Sequence, residues 1–506
     1  MSLGISLGDY ADFSHGSQGF GEDALNQTPQ TAEALAELNK ALSAGSITGG
    51  ASVNSAIPGQ GAALKPESLE RTLKLLTFRD SDIRLWRAFP KSAAFNTVEE
   101  FNQLSSYGVE RGGSYLEGEL PEEEDSTYIR RAEKVKYYGV TRAVTHPMTL
   151  VRSAHGDVIQ REINNGTMWL LRKANRALAF GDENIISTEI NGVYKQHQLG
   201  INTNLTSYYN DEVVVDLKGA SLTQEVIEDA GRVILENFGQ ATHLFAPPVV
   251  LSDFGKDYYQ KQRIILGGNN GGYNVETNIS YPKHVTMSFG DVDLMHDIFL
   301  QESKGVAYNE GANSLKAPAA PVAGSVPAAA SDSAASEFAA GDAGAYWYGV
   351  RAINRYGESA MTILDTSSIS PTAGQSVDLT FTSGGGANPA TGYVIYRTEK
   401  DASAYTTAKF YPIFKVSTTE VTNGFDGGAA GKVRDRNHFI ANTQQAFISD
   451  TPNTFEIKQL APLLKLDLAI VSPAYRFMIL LYFTHWLTSP RKVVRFRNIG
   501  RWTAPS

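Results

Sequence analysis

The 506-residue chain has no cysteine, which excludes disulfides, thiolate metal sites, iron–sulfur clusters and cysteine nucleophiles together. It has no excess of positive charge either: 45 Lys and Arg stand against 54 Asp and Glu, for a formal net charge of −9. A dedicated nucleic-acid binder needs the opposite balance to neutralise phosphates. Long apolar runs are also missing. The most extended, "FMILLYF" (477–483), falls far short of the ~20 residues of a membrane helix. The opening "MSLGISLGDYADFSHG" lacks the charged and apolar regions of a secretory leader. These absences predict a soluble protein made in a reducing cytoplasm, with no membrane partner.

Signals for chemistry are equally sparse. The nine histidines include no HxxxH or HxxEH spacing. The densest potential ligand set is "DVDLMHD", with Asp291, Asp293, His296 and Asp297, but it lacks the glycine and distal glutamate of a calcium loop. A solvated turn is expected there, with no metal. "GGNNGG" (267–272) lacks the Lys-Ser/Thr ending of a phosphate loop, so a surface loop is expected. No enzyme activity and no cofactor are expected.

What the chain does have is a concentrated charge pattern, "GELPEEEDSTYIRRAEKVKYYG" (118–139). Glu119, Glu122, Glu123, Glu124 and Asp125 are followed by Arg130, Arg131, Lys134 and Lys136. Paired catalytic carboxylates work in clefts whose apolar walls shift a pKa, and a hairpin tip has no such walls. Residues 98–146 read as a long hairpin whose return strand alternates. Arg130, Ala132, Lys134, Lys136, Tyr138 and Val140 are expected on one face, with Ile129, Arg131, Glu133, Val135 and Tyr137 on the other. Both faces carry charge, so something else must support the ribbon.

Elsewhere the chain reads as α+β. Residues 1–65 have the composition of an arm, holding one helix, "TPQTAEALAELNKALSAG", whose stripe of Leu35, Leu38 and Leu42 is suited to docking. "PESLERTLKLLTF" (66–78) reads as a second helix. "GDVIQREINNGTMWLLRKANRALAFGDE" (156–183) predicts a long helix with Asp157 and Gln160 as a capping box, Gly166 as a bend and Gly181 as the stop. "SLTQEVIEDAGRVILENFG" (221–239) predicts another, capped by Ser221 and Gln224, with Val226, Ala230, Val233 and Ile234 facing inward. The Ala/Pro/Ser run at 314–345 reads as a linker. After it come strands "AYWYGVRAINRYGES", "SVDLTFTS", "TGYVIYRTE" and "FYPIFKVS", then mixed character from 441 onward, so this β unit is an insert. The C-terminal "SPRKVVRFRNIGRW" is a basic strand whose Arg495, Arg497 and Arg501 are either solvated or face DNA.

"QLAPLLKLDLAIVSPAYRFMILLYFTHWLTSPRKVVRFRNIG" (459–500) resembles the C-terminal segment of tailed-bacteriophage major capsid proteins. "GDVIQREINNGTMWLLRKANRALAFGDENIISTEINGVYKQ" (156–196) is similar to their spine helix and following turn. The order of arm, extended loop, spine helix and axial domain resembles the Hong Kong 97-type capsid fold. In the insert, "YWYGVRAINRYGES" resembles the penultimate strand of fibronectin type III and immunoglobulin-like modules, and "GYVIYRTE" their third strand. The two stand in reversed order, as in a permuted module or another β-sandwich.

The resemblance implies an arm at 1–80, an extended loop with flanking strands at 81–150, and a peripheral domain with the first part of an axial domain at 151–315. The insert would occupy 316–435, with a return to the core at 436–506. It further implies a homo-oligomer of hexamers and pentamers enclosing double-stranded DNA, with portal, scaffold and cement proteins as partners. Such a protein resides in the virion and is made in the host bacterial cytoplasm, with its insert on the outer surface. The charged residues of 119–136 would contact neighbouring subunits, as would Leu35, Leu38 and Leu42 of the arm. An encapsulin-like cargo shell and a fibronectin-module carbohydrate-binding protein are the alternative readings.

Overall fold

The computed structural model describes residues 77–108, 113–151, 156–196, 213–261, 283–301, 316–333, 335–469 and 472–502. The arm with Leu35, Leu38 and Leu42, nearly all of the 66–78 helix, and "GGNNGG" lie outside the described residues. The elements below belong to one compact unit, Leu75–Val151 with Asp157–Ser506.

In chain order, β1 (Lys91–Ala93), β2 (Val98–Ser106), β3 (Thr127–Lys134) and β4 (Lys136–Thr145) lead to helix α1 (Val158–Phe180). Next come β5 (Val214–Asp216), α2 (Gln224–Glu236), β6 (His243–Ala246), α3 (Pro248–Lys261), β7 (His284–Met287) and β8 (Gly290–His296). The insert carries β9 (Val322–Ala323), β10 (Ala328–Ser331), β11 (Tyr348–Asn354), β12 (Gly357–Glu358), β13 (Thr362–Ile363), β14 (Gln375–Thr382), β15 (Gly392–Thr398), β16 (Phe410–Ser417) and β17 (Lys432–Asp435). The body closes with β18 (Gln444–Ser449), β19 (Phe455–Asp467), β20 (Ala474–Leu487) and β21 (Val493–Ile499).

Three cores organise these elements. In the first, α1 packs on the sheet β1-β19-β20-β4, and Leu170, Ala174 and Leu178 meet Phe477, Ile479 and Phe483. Asp157 caps α1 by accepting from the Ile159 amide at 2.9 Å. Gln160 does not close a capping box; its amide reaches Asn164 at 3.3 Å. The helix runs unbroken through Gly166. That glycine is buried, and a Cβ there would lie 2.6 Å from Ile479 Cδ1, so the missing side chain lets β20 approach. Gly181 ends the helix with φ −61°, and a Cβ there would run into the Ile190 carbonyl oxygen.

The second core lies between α2, α3 and the mixed sheet β5-β21-β18-β6-β8-β7. The N-cap of α2 is Thr223, two residues beyond the expected Ser221. Ile227, Ala230, Val233 and Ile234 are buried, and Val226 only partly. "DVDLMHD" is no solvated turn: most of it is β8, and Asp297 is fully buried. The Asp297 carboxylate accepts from Asn175 Nδ2 at 2.7 Å and from the Phe299 amide at 2.8 Å, stitching α1 to the loop after β8. Burial raises its pKa, against these hydrogen bonds.

The third core fills a two-layer β-sandwich, β10-β14-β17 with β9 facing β12-β11-β15-β16 with β13. The Ala/Pro/Ser run is therefore not a linker where it is described: β9 and β10 pair with β14, and Phe338 is 2% exposed. At the sandwich centre Arg397 donates to Asp435 Oδ2 at 2.7 Å and to Asn437 Oδ1 at 2.7 Å, with the Tyr348 hydroxyl on Asp435 at 2.9 Å. The insert is clamped to the body. Ile353 and Val394 pack on Ile185, while Arg497 and His438 share Glu337, each at 2.9 Å. Hydrogen bonds to Asp426 and Glu337 raise the His438 pKa to about 9.

Candidate functional site

Strands β2 and β3 form an antiparallel ribbon in the register Val98↔Lys134 to Leu104↔Tyr128, with a bulge before Ser106. The expected continuous return strand is broken. Val135 and Lys136 are both buried, the alternation changes phase between them, and from Lys136 onward β4 leaves the ribbon to pair with β20. Tyr138 and Val140 consequently reach the first core, contrary to the reading that neither face of this segment meets a core.

The ribbon's inner face is fastened to its own body. Phe101 lies on the Trp486 ring with centroids 4.7 Å apart. Gln103 donates from Nε2 to the Thr488 carbonyl and accepts from Arg131 Nε at 2.8 Å. At the root, Glu133 is held near a pKa of about 7, first by burial and then by the neighbouring Glu183 carboxylate. Lys136 stands in the same cluster, 9% exposed, with Nζ 2.7 Å from Glu183 Oε1 and 2.8 Å from the Ser187 carbonyl. Lys136 is therefore removed from the expected contact set: a lysine spent on its own chain's carboxylate cannot reach a neighbour.

The outer face and tip behave differently. Arg130 is exposed and ion-paired with Glu100, Lys134 is exposed beside it, and Tyr128 is 69% exposed. Arg131 sits on the half-buried inner face. At the tip Glu119, Glu122, Glu123, Glu124 and Asp125 are all exposed, with Leu120 among them at 93% exposure. The acidic residues, Arg130 and Lys134 are thus all exposed, whereas Arg131 is half-buried and Lys136 buried.

β21 is interior to its sheet, between β5 and β18, and the C-terminal arginines have partners within the chain. Arg497 Nε reaches Asp216 at 2.9 Å, and Arg501 Nε reaches Asp253 at 2.6 Å. Arg495 donates to Gln445 and lies 4.7 Å from the Tyr194 ring centroid. Among the described residues no cluster of three or more His, Asp or Glu could hold a metal ion, and no helix is long and apolar enough to cross a membrane.

Trp486 was not legible as the ribbon's anchor; it lies near the end of an apolar strand and carries no local signal of its partner Phe101. Among its described residues the ribbon offers no cleft with positioned acid, base and nucleophile. It is a charged hairpin fastened to its own chain at one end.

No protein-family profile matches the chain. It is similar to the candidate major capsid protein of Enterococcus phage phiEF24C, 23% identical over 443 residues, spanning 87% of this chain and 90% of that protein. The major capsid protein of Staphylococcus phage K is 22% identical over 446 residues, spanning 86% of this chain and 90% of its own. Among solved structures, the capsid of the native GTA particle aligns with a TM-score of 0.45 at 9% identity, over 88% of this chain and 99% of that one.

Proposed function

We propose that the chain, a phage head shell protein, is the repeating subunit of the icosahedral head of a tailed phage, assembling through hexamers and pentamers around double-stranded DNA. The ribbon carries this reading. It is anchored at its root by Phe101 on Trp486, yet its acidic tip and outer face stay in solvent. A surface ion pair is worth only about 0–1 kcal/mol. In a closed symmetric assembly the same contact recurs around every local axis, and weak contacts add through multivalency.

In Hong Kong 97-type terms the ribbon is the extended loop and α1 the spine helix. The sheet β1-β19-β20-β4 belongs to the peripheral domain, and the six-stranded sheet with α2 and α3 to the axial domain. Residues 1–80 form the arm, with Leu35, Leu38 and Leu42 as its docking stripe. The insert, 316–435, is an immunoglobulin-like module on the outer surface. Its pairings support that reading: β10-β14-β17 follows the A-B-E order, and β11-β15-β16 the F-C-C′ order. Placing β11 ahead of β14 makes the module a permuted one, in keeping with the reversed order of its two signature segments.

Portal, scaffold and cement proteins are the further partners of such a subunit. DNA contact is weak and non-specific, with no arginine of β21 assigned to it. The role is structural and non-enzymatic, and the protein, made in the host cytoplasm, resides in the virion. No observation favours the encapsulin-like or carbohydrate-binding alternatives. Electron microscopy of the purified chain tests the proposal: closed shells are expected, and dispersed subunits at shell-forming concentrations contradict it.

A further inference from the structure

The insert meets the body through a small apolar contact, Ile353 and Val394 on Ile185, and through an ionic neck where the chain leaves the insert, at His438. Beside these attachments a cleft of about 680 Å³ separates α1 from the insert. The insert is therefore not close-packed along the helix, and the cleft leaves it room to move.

His438 is tied into the neck from two sides. Its backbone is held by the body: Asn498 of β21 donates from Nδ2 to the His438 carbonyl at 3.0 Å and to Asp216 of β5 at 2.9 Å. Its ring faces two carboxylates of the insert, with Nδ1 2.9 Å from Glu337 Oε1 and Nε2 3.3 Å from Asp426 Oδ2. A neutral imidazole has one N–H and one bare lone pair, so it can donate to only one of them. The imidazolium donates to both. The charges next in line are two arginines. Arg497 reaches Glu337 and Asp216, each at 2.9 Å, and Arg436 reaches Asp426 at 2.8 Å and Asp332 at 2.7 Å. With His438 protonated, the signs alternate from Asp216 in the body to Asp332 in the insert. Without that proton, two carboxylates face one neutral ring.

We infer that His438 is a proton-held latch between insert and body: the imidazolium fixes the insert, and losing its proton lets the insert swing about the neck, across the cleft, while both parts stay folded. Asp426 and then Glu337 hold the ring's pKa up at about 9, so the latch is closed through the neutral range. A base whose folded pKa is raised contributes stability that is whole below its ordinary pKa of 6.5 and is lost as pH rises through 9. The apolar contact at Ile185 carries no titrating group and is too small to fix the insert alone. The latch acts within one chain, whatever that chain assembles into.

The absence of cysteine makes a direct test clean. Asn164→Cys on α1 and Ser383→Cys on the insert, both at exposed positions, carry spin labels in the full, unassembled chain. Pulsed electron resonance then gives the distance between them at about pH 7.5 and pH 10. A single narrow distance is expected at the lower pH, and a displaced fraction roughly tenfold or more larger at the higher. His438→Arg, charged at both, should keep the narrow distance at pH 10, and it also controls for lysines and tyrosines that titrate there. His438→Gln should show the displaced fraction already at pH 7.5. Equal distances at both pH values in the labelled parent, or the same pH response in the Arg variant, overturn the inference. Should either variant fail to fold, the labelled parent decides alone. One of its nine histidines should titrate by NMR near pH 9, in step with the distance change; a distance change with no such titration overturns the latch.

Discussion

Histidine 485 is the most informative single position for stability. Its side chain is fully buried beside the stacked pair Phe89 and Phe455, with ring centroids 5.5 and 5.7 Å away. Nε2 has no hydrogen-bond partner, and Nδ1 lies 3.5 Å from the Asn191 carbonyl. Burial lowers the pKa from 6.5 to about 4, so the folded chain keeps the ring neutral where the unfolded chain would protonate it. Stability is therefore complete above pH 6.5 and is lost as pH falls through 4. At about 1.4 kcal/mol per pH unit the gap is worth about 3 kcal/mol, most of it lost by about pH 4.5.

Urea unfolding of the unassembled subunit, followed by tryptophan fluorescence near pH 7.5 and near pH 4.5, measures this loss. His485→Phe keeps an aromatic ring beside Phe89 and Phe455 and removes the titration. Glu133 and Asp297, whose folded pKa values are raised, gain stability on acidification in both chains and cancel in the comparison. The variant should lose about 2–3 kcal/mol less than the parent over this range. Equal losses would refute the reasoning.

Two other substitutions probe the insert and the turn that follows α1. Arg397→Met leaves Asp435 and Asn437 buried without their shared cation, and should destabilise the insert by about 3–5 kcal/mol. Proteolysis should then cut first within 316–435, and an uncut insert would contradict the role given to this pair. Gly181→Ala places a Cβ against the Ile190 and Ala177 carbonyl oxygens, where only backbone movement makes room. A loss of about 2–3 kcal/mol in thermal or urea unfolding is expected; an unchanged midpoint would show that the loop at 190 yields freely.

The parts legible in the sequence were those governed by local periodicity. α1 follows its apolar face and the Asp157 cap, and β11, β14, β15 and β16 each fall within the segments expected as strands. The parts that were not legible depend on distant partners. β21 reads as a basic surface strand, but Asp216, Asp253, Glu337 and Gln445 arrive from elsewhere to satisfy its arginines and Arg501. The Ala-rich run reads as a linker because β9 and β10 join the sandwich through backbone pairing, with little apolar side chain to betray it. The phase change at Val135–Lys136 is hidden because "KVKYYG" continues to alternate on paper while the chain passes from ribbon to sheet. The acidic tip was recognisable from charge alone as an exposed charged segment.

The central claim is that this chain closes into a shell through its ribbon. Negative-stain microscopy of the purified protein, beside a Glu122→Lys, Glu123→Lys, Glu124→Lys variant, tests it most directly. The account predicts closed shells from the parent and folded, dispersed subunits from the variant. Dispersed subunits from the parent, or normal shells from the variant, would contradict it.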